Sequence, residues 1–81
     1  MKIEILGTGC AKCNMLEAAA KSAANKLGLE YEIEHIKDIN EFMKRGVMFT
    51  PALAINGKVV AAGKVPAEAE IARMLLETAN A

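Results

Sequence analysis

Lys2-Ile3-Glu4-Ile5-Leu6-Gly7-Thr8-Gly9-Cys10-Ala11-Lys12-Cys13 joins a strand pattern, a glycine-rich break and two cysteines three positions apart. Over Lys2–Leu6, Ile3 and Ile5 share one face of an extended segment and Leu6 takes the other. Gly7-Thr8-Gly9 breaks the strand. The spacing then turns helical. Leu16, Ala19, Ala20, Ala23 and Leu27 recur at three- and four-residue steps, predicting a helix over 10–27 that Gly28 closes. The alanines add helix propensity.

This placement makes the cysteine pair chemically significant. Residues i and i+3 of a helix share a face, with Cβ atoms about 5–6 Å apart. A disulfide asks for roughly 3.8 Å, so a small adjustment of the first turn opens or closes a bridge. A bridge that short constrains the unfolded chain very little, which argues for a reactive pair over a structural staple. Cys10 stands at the helix start, where unpaired backbone N–H groups and the helix dipole favour a thiolate. Lys12 adds positive charge nearby. Cys10 is accordingly the expected nucleophile, and Cys13, one turn deeper, the resolving thiol.

The rest of the chain completes an α/β order. Residues 30–36 alternate strictly, with Tyr31, Ile33 and His35 on one face and glutamates on the other, as in a half-exposed edge strand. His35 reads there as an ordinary surface or half-buried residue. Asp38 is placed to cap a short helix, with Glu41 in capping-box position, Ile39, Phe42 and Met43 as its apolar stripe and Gly46 at its end. Ala52–Ile55 is a short core strand. Asn56-Gly57 is a strong hairpin signal and returns the chain through Lys58–Ala62. Pro66 fits the first turn of a last helix carrying Ile71, Met74, Leu75 and Thr78 on one face. The expected order is β-α-β-α-β-β-α in one domain over residues 1–81. It makes a four-stranded mixed sheet with helices on both faces, its first two strands joined by a right-handed crossover.

Composition narrows the function. Ten basic residues balance ten acidic ones, so there is no electrostatic footprint for a nucleic-acid partner. No apolar run approaches the ~20 residues of a membrane span. Glu4 interrupts any signal-peptide core, which makes a reducing, cytoplasmic setting the expectation. Most of the methionines, including Met15, Met43 and Met74, read as core filler. Met48 and Phe49 read as an apolar wall beside the cysteines.

Thr50-Pro51 stands directly before a core strand, a position that strands allow proline. By itself it reads as a trans loop breaker. Together, the Gly7–Cys13 segment, Thr50-Pro51-Ala52-Leu53, the Asn56-Gly57 hairpin, Gly63 and the terminal helix resemble the thioredoxin superfamily. More narrowly, the chain resembles the small "redox-active disulfide" thioredoxin-like proteins of archaea and bacteria. The resemblance implies a thioredoxin-like fold and a cis Thr50-Pro51 beside the cysteines. It also implies a Thr50 backbone that pairs with a substrate strand, and a Gly63 that lets substrate approach. The superfamily's buried acid, six residues before the first cysteine, corresponds to Glu4, which makes Glu4 a candidate proton acceptor for Cys13. An alternating glutamate in a strand otherwise reads as partly solvated. Gly9-Cys10-Ala11-Lys12-Cys13 departs from the Trp-Cys-Gly-Pro-Cys of thioredoxins, and Ala61-Ala62-Gly63-Lys64 departs from the glutathione clamp of glutaredoxins.

The expected function is a dithiol–disulfide oxidoreductase in thiol electron transport that needs no bound cofactor. Its expected partners are a protein or low-molecular-weight disulfide and a reductase or thiol donor. The catalytic residues are Cys10 and Cys13, supported by Gly9, Lys12, Thr50, Pro51 and Gly63. The alternative is Cu(I) or other soft-metal transfer, because two thiolates suit such ions and the loop is similar to the Met-x-Cys-x-x-Cys loop of copper-binding domains. Those domains run β-α-β-β-α-β and end in a strand.

Overall fold

Alternating aliphatic residues build the strands and the alanine-rich run builds the longest helix. The computed structural model describes residues 1–9 and 11–80. The order is β1 (Lys2–Leu6), α1 (Ala11–Lys26), β2 (Glu32–Ile36), α2 (Ile39–Lys44), β3 (Ala52–Ile55), β4 (Lys58–Ala62) and α3 (Glu68–Ala79). This is a thioredoxin-like α/β fold. The second strand is followed by α2 and then the β3–β4 hairpin, which differs from the β-α-β-β-α-β order of the copper-binding domains.

The sheet runs β2-β1-β3-β4. β1 is parallel to β2, with Ile3 opposite Ile33 and Ile5 opposite His35. It is antiparallel to β3, with Ile5 opposite Leu53, and β3 is antiparallel to β4. β2 is thus an edge strand, as its alternation predicts. Asn56 (φ 51°) and Gly57 (φ 85°) make the hairpin turn between β3 and β4. Both are left-handed, the conformation that Asn-Gly adopts with least strain.

The period-2 pattern of β1 divides the core. Ile3 and Ile5 pack with Leu16, Ala20, Ala23 and Ala24 of α1, with Leu53 and Ile55 of β3, and with Ile71 and Leu75 of α3. Leu6 faces the other way, onto Phe42, Val47, Ala52 and Ala54. On the first face, alanines let α1 lie close to the sheet. Lys26 of α1 reaches Glu68 of α3 at 2.7 Å across the helix pair.

The short helix departs from its predicted stripe. The Asp38 carboxylate accepts the Asn40 N–H at 2.9 Å and caps α2 as expected. Only Phe42 is buried there. Ile39 is 62% exposed and Met43 72%. Ile39, Phe42 and Met43 still border one groove, but only Phe42 reaches the core cluster on this face of the sheet, and nothing among the described residues covers the other two. Met15 and Met48 are exposed too, so of these methionines only Met74 serves as packing. Pro66 lies ahead of α3, whose N-cap is Ala67 with no side-chain bond. Pro66 is buried where the chain enters the helix.

Candidate active site

The site lies where β1 ends and α1 begins. Cys10, the expected nucleophile, lies outside the described residues. Around it Thr8, Gly9, Ala11 and Lys12 are exposed, whereas Cys13 is fully buried in the first turn of α1. Cys13 shares the inward face of α1 with Leu16 and Ala20, three and seven positions on, whereas Ala11, Lys12, Asn14 and Met15 fall on the outer face.

Gly7 makes that burial possible. A Cβ built on Gly7 would collide with the Cys13 sulfur and lie 3.8 Å from Cα of Pro51. Gly7 is therefore the spacer that lets the sulfur rest against the backbone, with Pro51 alongside. The Thr50–Pro51 peptide is cis. Pro51 is buried and its carbonyl accepts the Gly63 N–H at 2.9 Å. Gly63 has φ +76°, and a Cβ there would approach Cβ of Phe49 to 2.9 Å. Phe49 thus packs into the room that Gly63 leaves. Of the supporting residues, Gly9, Lys12, Thr50 and Gly63 are exposed, and Pro51 alone is buried with Cys13.

The predicted wall of Met48 and Phe49 is no sealed surface: Met48 is 86% exposed and Phe49 69%. Met48 lines a groove of about 600 Å³ with Thr8, Ile39, Met43, Val47 and Thr50. The apolar residues that α2 does not bury therefore border the cysteine loop.

Glu4 differs from its expected solvation. It is only 3% exposed, and Arg45, just past α2, donates from Nη1 to Glu4 Oε1 at 2.7 Å. That hydrogen bond holds the Glu4 carboxyl below the usual carboxylate range. Burial opposes the effect, and the charges of Arg45 and Lys2 add to it. A carboxylate kept ionised by a guanidinium is a poor store for a thiol's proton. Glu4 is better described as the buried half of an ion pair whose Arg45 remains partly exposed. Arg45 also approaches Glu41 at 3.8 Å.

Sequence reasoning missed the part played by β2. His35 and Ile36 at its end contact Gly7, and Lys37 just past it lies near Gly9. The Ile36 carbonyl accepts the Gly7 N–H at 2.9 Å. His35 Nε2 lies 3.2 Å from the Gly7 carbonyl oxygen. Lys37 Nζ lies 3.9 Å from where a Gly9 Cβ would stand. Lys12 is the cation nearest the cysteines in sequence, while Lys37 is the one that the fold lays over the loop. A parallel crossover brings the end of β2 level with the end of β1, and no local pattern reports that.

Among the described residues no group of three His, Cys, Asp or Glu side chains is arranged to hold a metal ion. None of their helices is long and apolar enough to cross a membrane.

These features have close parallels. Residues 1–76 match the family model described as a thioredoxin domain. The thioredoxin of Methanothermobacter thermautotrophicus is 41% identical over 75 residues, covering 93% of this chain and 97% of its own. The thioredoxin of Methanocaldococcus jannaschii is 41% identical over 69 residues, covering 85% of this chain and 79% of its own. A buried helix-start cysteine against a glycine, a neighbouring proline, a β-α-β-α-β-β-α order and this match over nearly the whole length together place the chain in the thioredoxin family.

Proposed function

We propose that the chain is a dithiol–disulfide oxidoreductase in which Cys10 attacks and Cys13 resolves. The observation that carries this reading is the full burial of Cys13 one turn behind an exposed loop. Membership of the thioredoxin family supports thiol–disulfide exchange as the reaction class.

The Cys10 thiolate attacks one sulfur of a substrate disulfide. A Cys10–substrate bond forms and the second substrate sulfur leaves as a thiolate. The Cys13 thiolate then attacks the Cys10 sulfur, forming the Cys10–Cys13 disulfide and expelling the remaining substrate thiolate. Two electrons pass to the substrate, the released thiolates take up protons according to pH, and an external dithiol resets the pair. Burial of Cys13 suits this order, since the resolving sulfur needs only to reach Cys10. Gly7 and Pro51 keep Cys13 in place. Gly9 and Thr50 are exposed, and Gly63 ties Pro51 to the end of β4. Lys12 supplies positive charge at the helix start. The reading takes the whole chain as one domain working without a cofactor, on a protein or small disulfide, with a separate reductase or thiol donor, in a reducing compartment.

Cys10→Ser should abolish turnover of a model disulfide with dithiothreitol as donor. Cys13→Ser should stop at a mixed disulfide seen as a mass adduct on Cys10. Adducts on Cys13 in the Cys10→Ser protein, with none in Cys13→Ser, would reverse the roles.

A further inference from the structure

The chain carries no net charge, yet its charges are unevenly spread. Lys2, Lys21, Lys26, Lys44, Arg45 and Arg73 each pair with a carboxylate. Lys12, Lys37, Lys58 and Lys64 pair with none among the described residues, and all four are exposed. Three of these lie at one end of the sheet. Lys12 is on the outer face of the first turn of α1. Lys37 follows β2, with Nζ 3.9 Å from where a Gly9 Cβ would stand. Lys64 follows Gly63, whose N–H bonds the Pro51 carbonyl at 2.9 Å. Lys58 is at the opposite end, because its partner Ile55 lies against Ile3 near the start of β1.

The acids do not cancel this rim. Glu17 is 3.6 Å from Lys21, Glu41 is 3.5 Å from Lys44 and Glu68 is 2.7 Å from Lys26. Glu32 opposes Lys2 at the start of the parallel strands, away from the cysteine loop. Asp38, which follows Lys37 and accepts the Asn40 N–H, and Glu70 in the first turn of α3 leave the rim net cationic.

The span of the rim says what it fits. Lys37 and Lys64 follow the two outer strands of the order β2-β1-β3-β4. Neighbouring strands stand about 4.8 Å apart, which sets the outer pair about 14 Å apart. Four or five extended residues cover that distance. A chain crossing the loop to present its disulfide would lay its flanking residues toward both lysines, whereas a small disulfide would reach fewer of them.

We propose that Lys12, Lys37 and Lys64 form a cationic rim that selects polypeptide disulfides flanked by acidic residues. This rests on the reading of Cys10 and Cys13 as the exchanging pair and names the substrate class for it.

The test uses cyclic disulfide peptides that differ only in having Glu, Gln or Lys on both sides of the cystine. Reduced full-length protein is mixed with each, and the reduced peptide is counted by chromatography. At about 0.01 M salt the Glu peptide should react about tenfold faster than the Lys peptide, the lower range of electrostatic steering. At about 0.5 M, where charges are felt over only about 4 Å, the difference should fall within about twofold. The double variant Lys37→Gln/Lys64→Gln should lower the Glu:Gln rate ratio about threefold, whereas Lys58→Gln should keep the wild-type ratio. A comparison of ratios cancels any difference in thiol reactivity between variants. A salt-independent preference, a ratio unmoved in the double variant or one lowered equally by Lys58→Gln overturns the proposal. Dithiodiglycolate, a small dianionic disulfide, should depend less on the two lysines than the Glu peptide does, and equal dependence overturns the polypeptide. If no peptide is reduced, the exchange reading falls. Binding of the same peptides with serine for cysteine, read by fluorescence anisotropy, then decides the rim alone: the Glu peptide should bind the wild type more tightly than the double variant, and equal binding overturns it.

Discussion

The two faces of the sheet are built differently. The face under α1 and α3 is dry. Ile3, Ile5, Leu16, Leu53, Ile71 and Leu75 are entirely withdrawn from solvent, and alanines let the helices sit close. The face under α2 is thin. It buries Leu6, Phe42, Val47, Ala52 and Ala54, holds an ion pair between Glu4 and Arg45, and leaves Ile39, Met43 and Met48 in solvent. The contrast separates two tasks. A sixteen-residue helix and a twelve-residue helix can cover a sheet face, and that face anchors the turn that carries Cys13. A six-residue helix cannot, so apolar surface remains beside the cysteine loop.

Paired substitutions would break this comparison most sharply. On the dry face, Ile5→Ala should cost about 2–5 kcal/mol in urea unfolding, since a buried side chain leaves a cavity. On the thin face, Ile39→Ala should stay within about 0.5 kcal/mol, because its side chain already meets water. Equal losses at both positions would erase the distinction.

A smaller effect belongs to the ion pair. Glu4→Gln keeps shape and an acceptor for Arg45 but removes the charge, and should cost about 1–3 kcal/mol at pH 7, the size of a charge-assisted hydrogen bond. The pH dependence has a definite sign. The folded carboxyl is held below its unfolded value. Its contribution is therefore complete above the unfolded value and is lost as pH falls through the folded one. Glu4→Gln should flatten this acid limb. A variant with the wild-type limb would show that other carboxylates produce it.

The smallest effect is expected on the exposed rim. Lys12→Ala should lower the midpoint potential of the cysteine pair by about 5–20 mV in a dithiothreitol titration, the scale of one exposed charge. An unchanged or raised potential removes Lys12 from the site's electrostatics.

Much of this architecture was legible beforehand, for reasons that differ by residue. Ile3, Ile5 and Leu6 fall on the faces their alternation predicts, because side chains in a strand change sides at every residue. Asn56-Gly57 turns the chain where it should, because few residues tolerate left-handed backbone. Asp38 caps α2 through its own neighbours. Ile39 and Met43 misled because helical spacing says which residues share a face and nothing about whether a partner covers it. Glu4 misled because its partner is forty-one residues away. The contact of His35 with the Gly7 carbonyl was not legible because it crosses from β2 to the end of the neighbouring β1.

By itself, then, the order of residues determined the strands, the helices, the hairpin and the place of Cys13 in the first turn of α1. These depend on backbone preference and on contacts a few residues apart. Only the tertiary structure decided that Gly7 would leave room for the Cys13 sulfur, that Arg45 would pair with Glu4, and that the end of β2 would bond to Gly7. Those contacts join segments far apart in the chain, and they exist only once the crossover has brought the parallel strands into register.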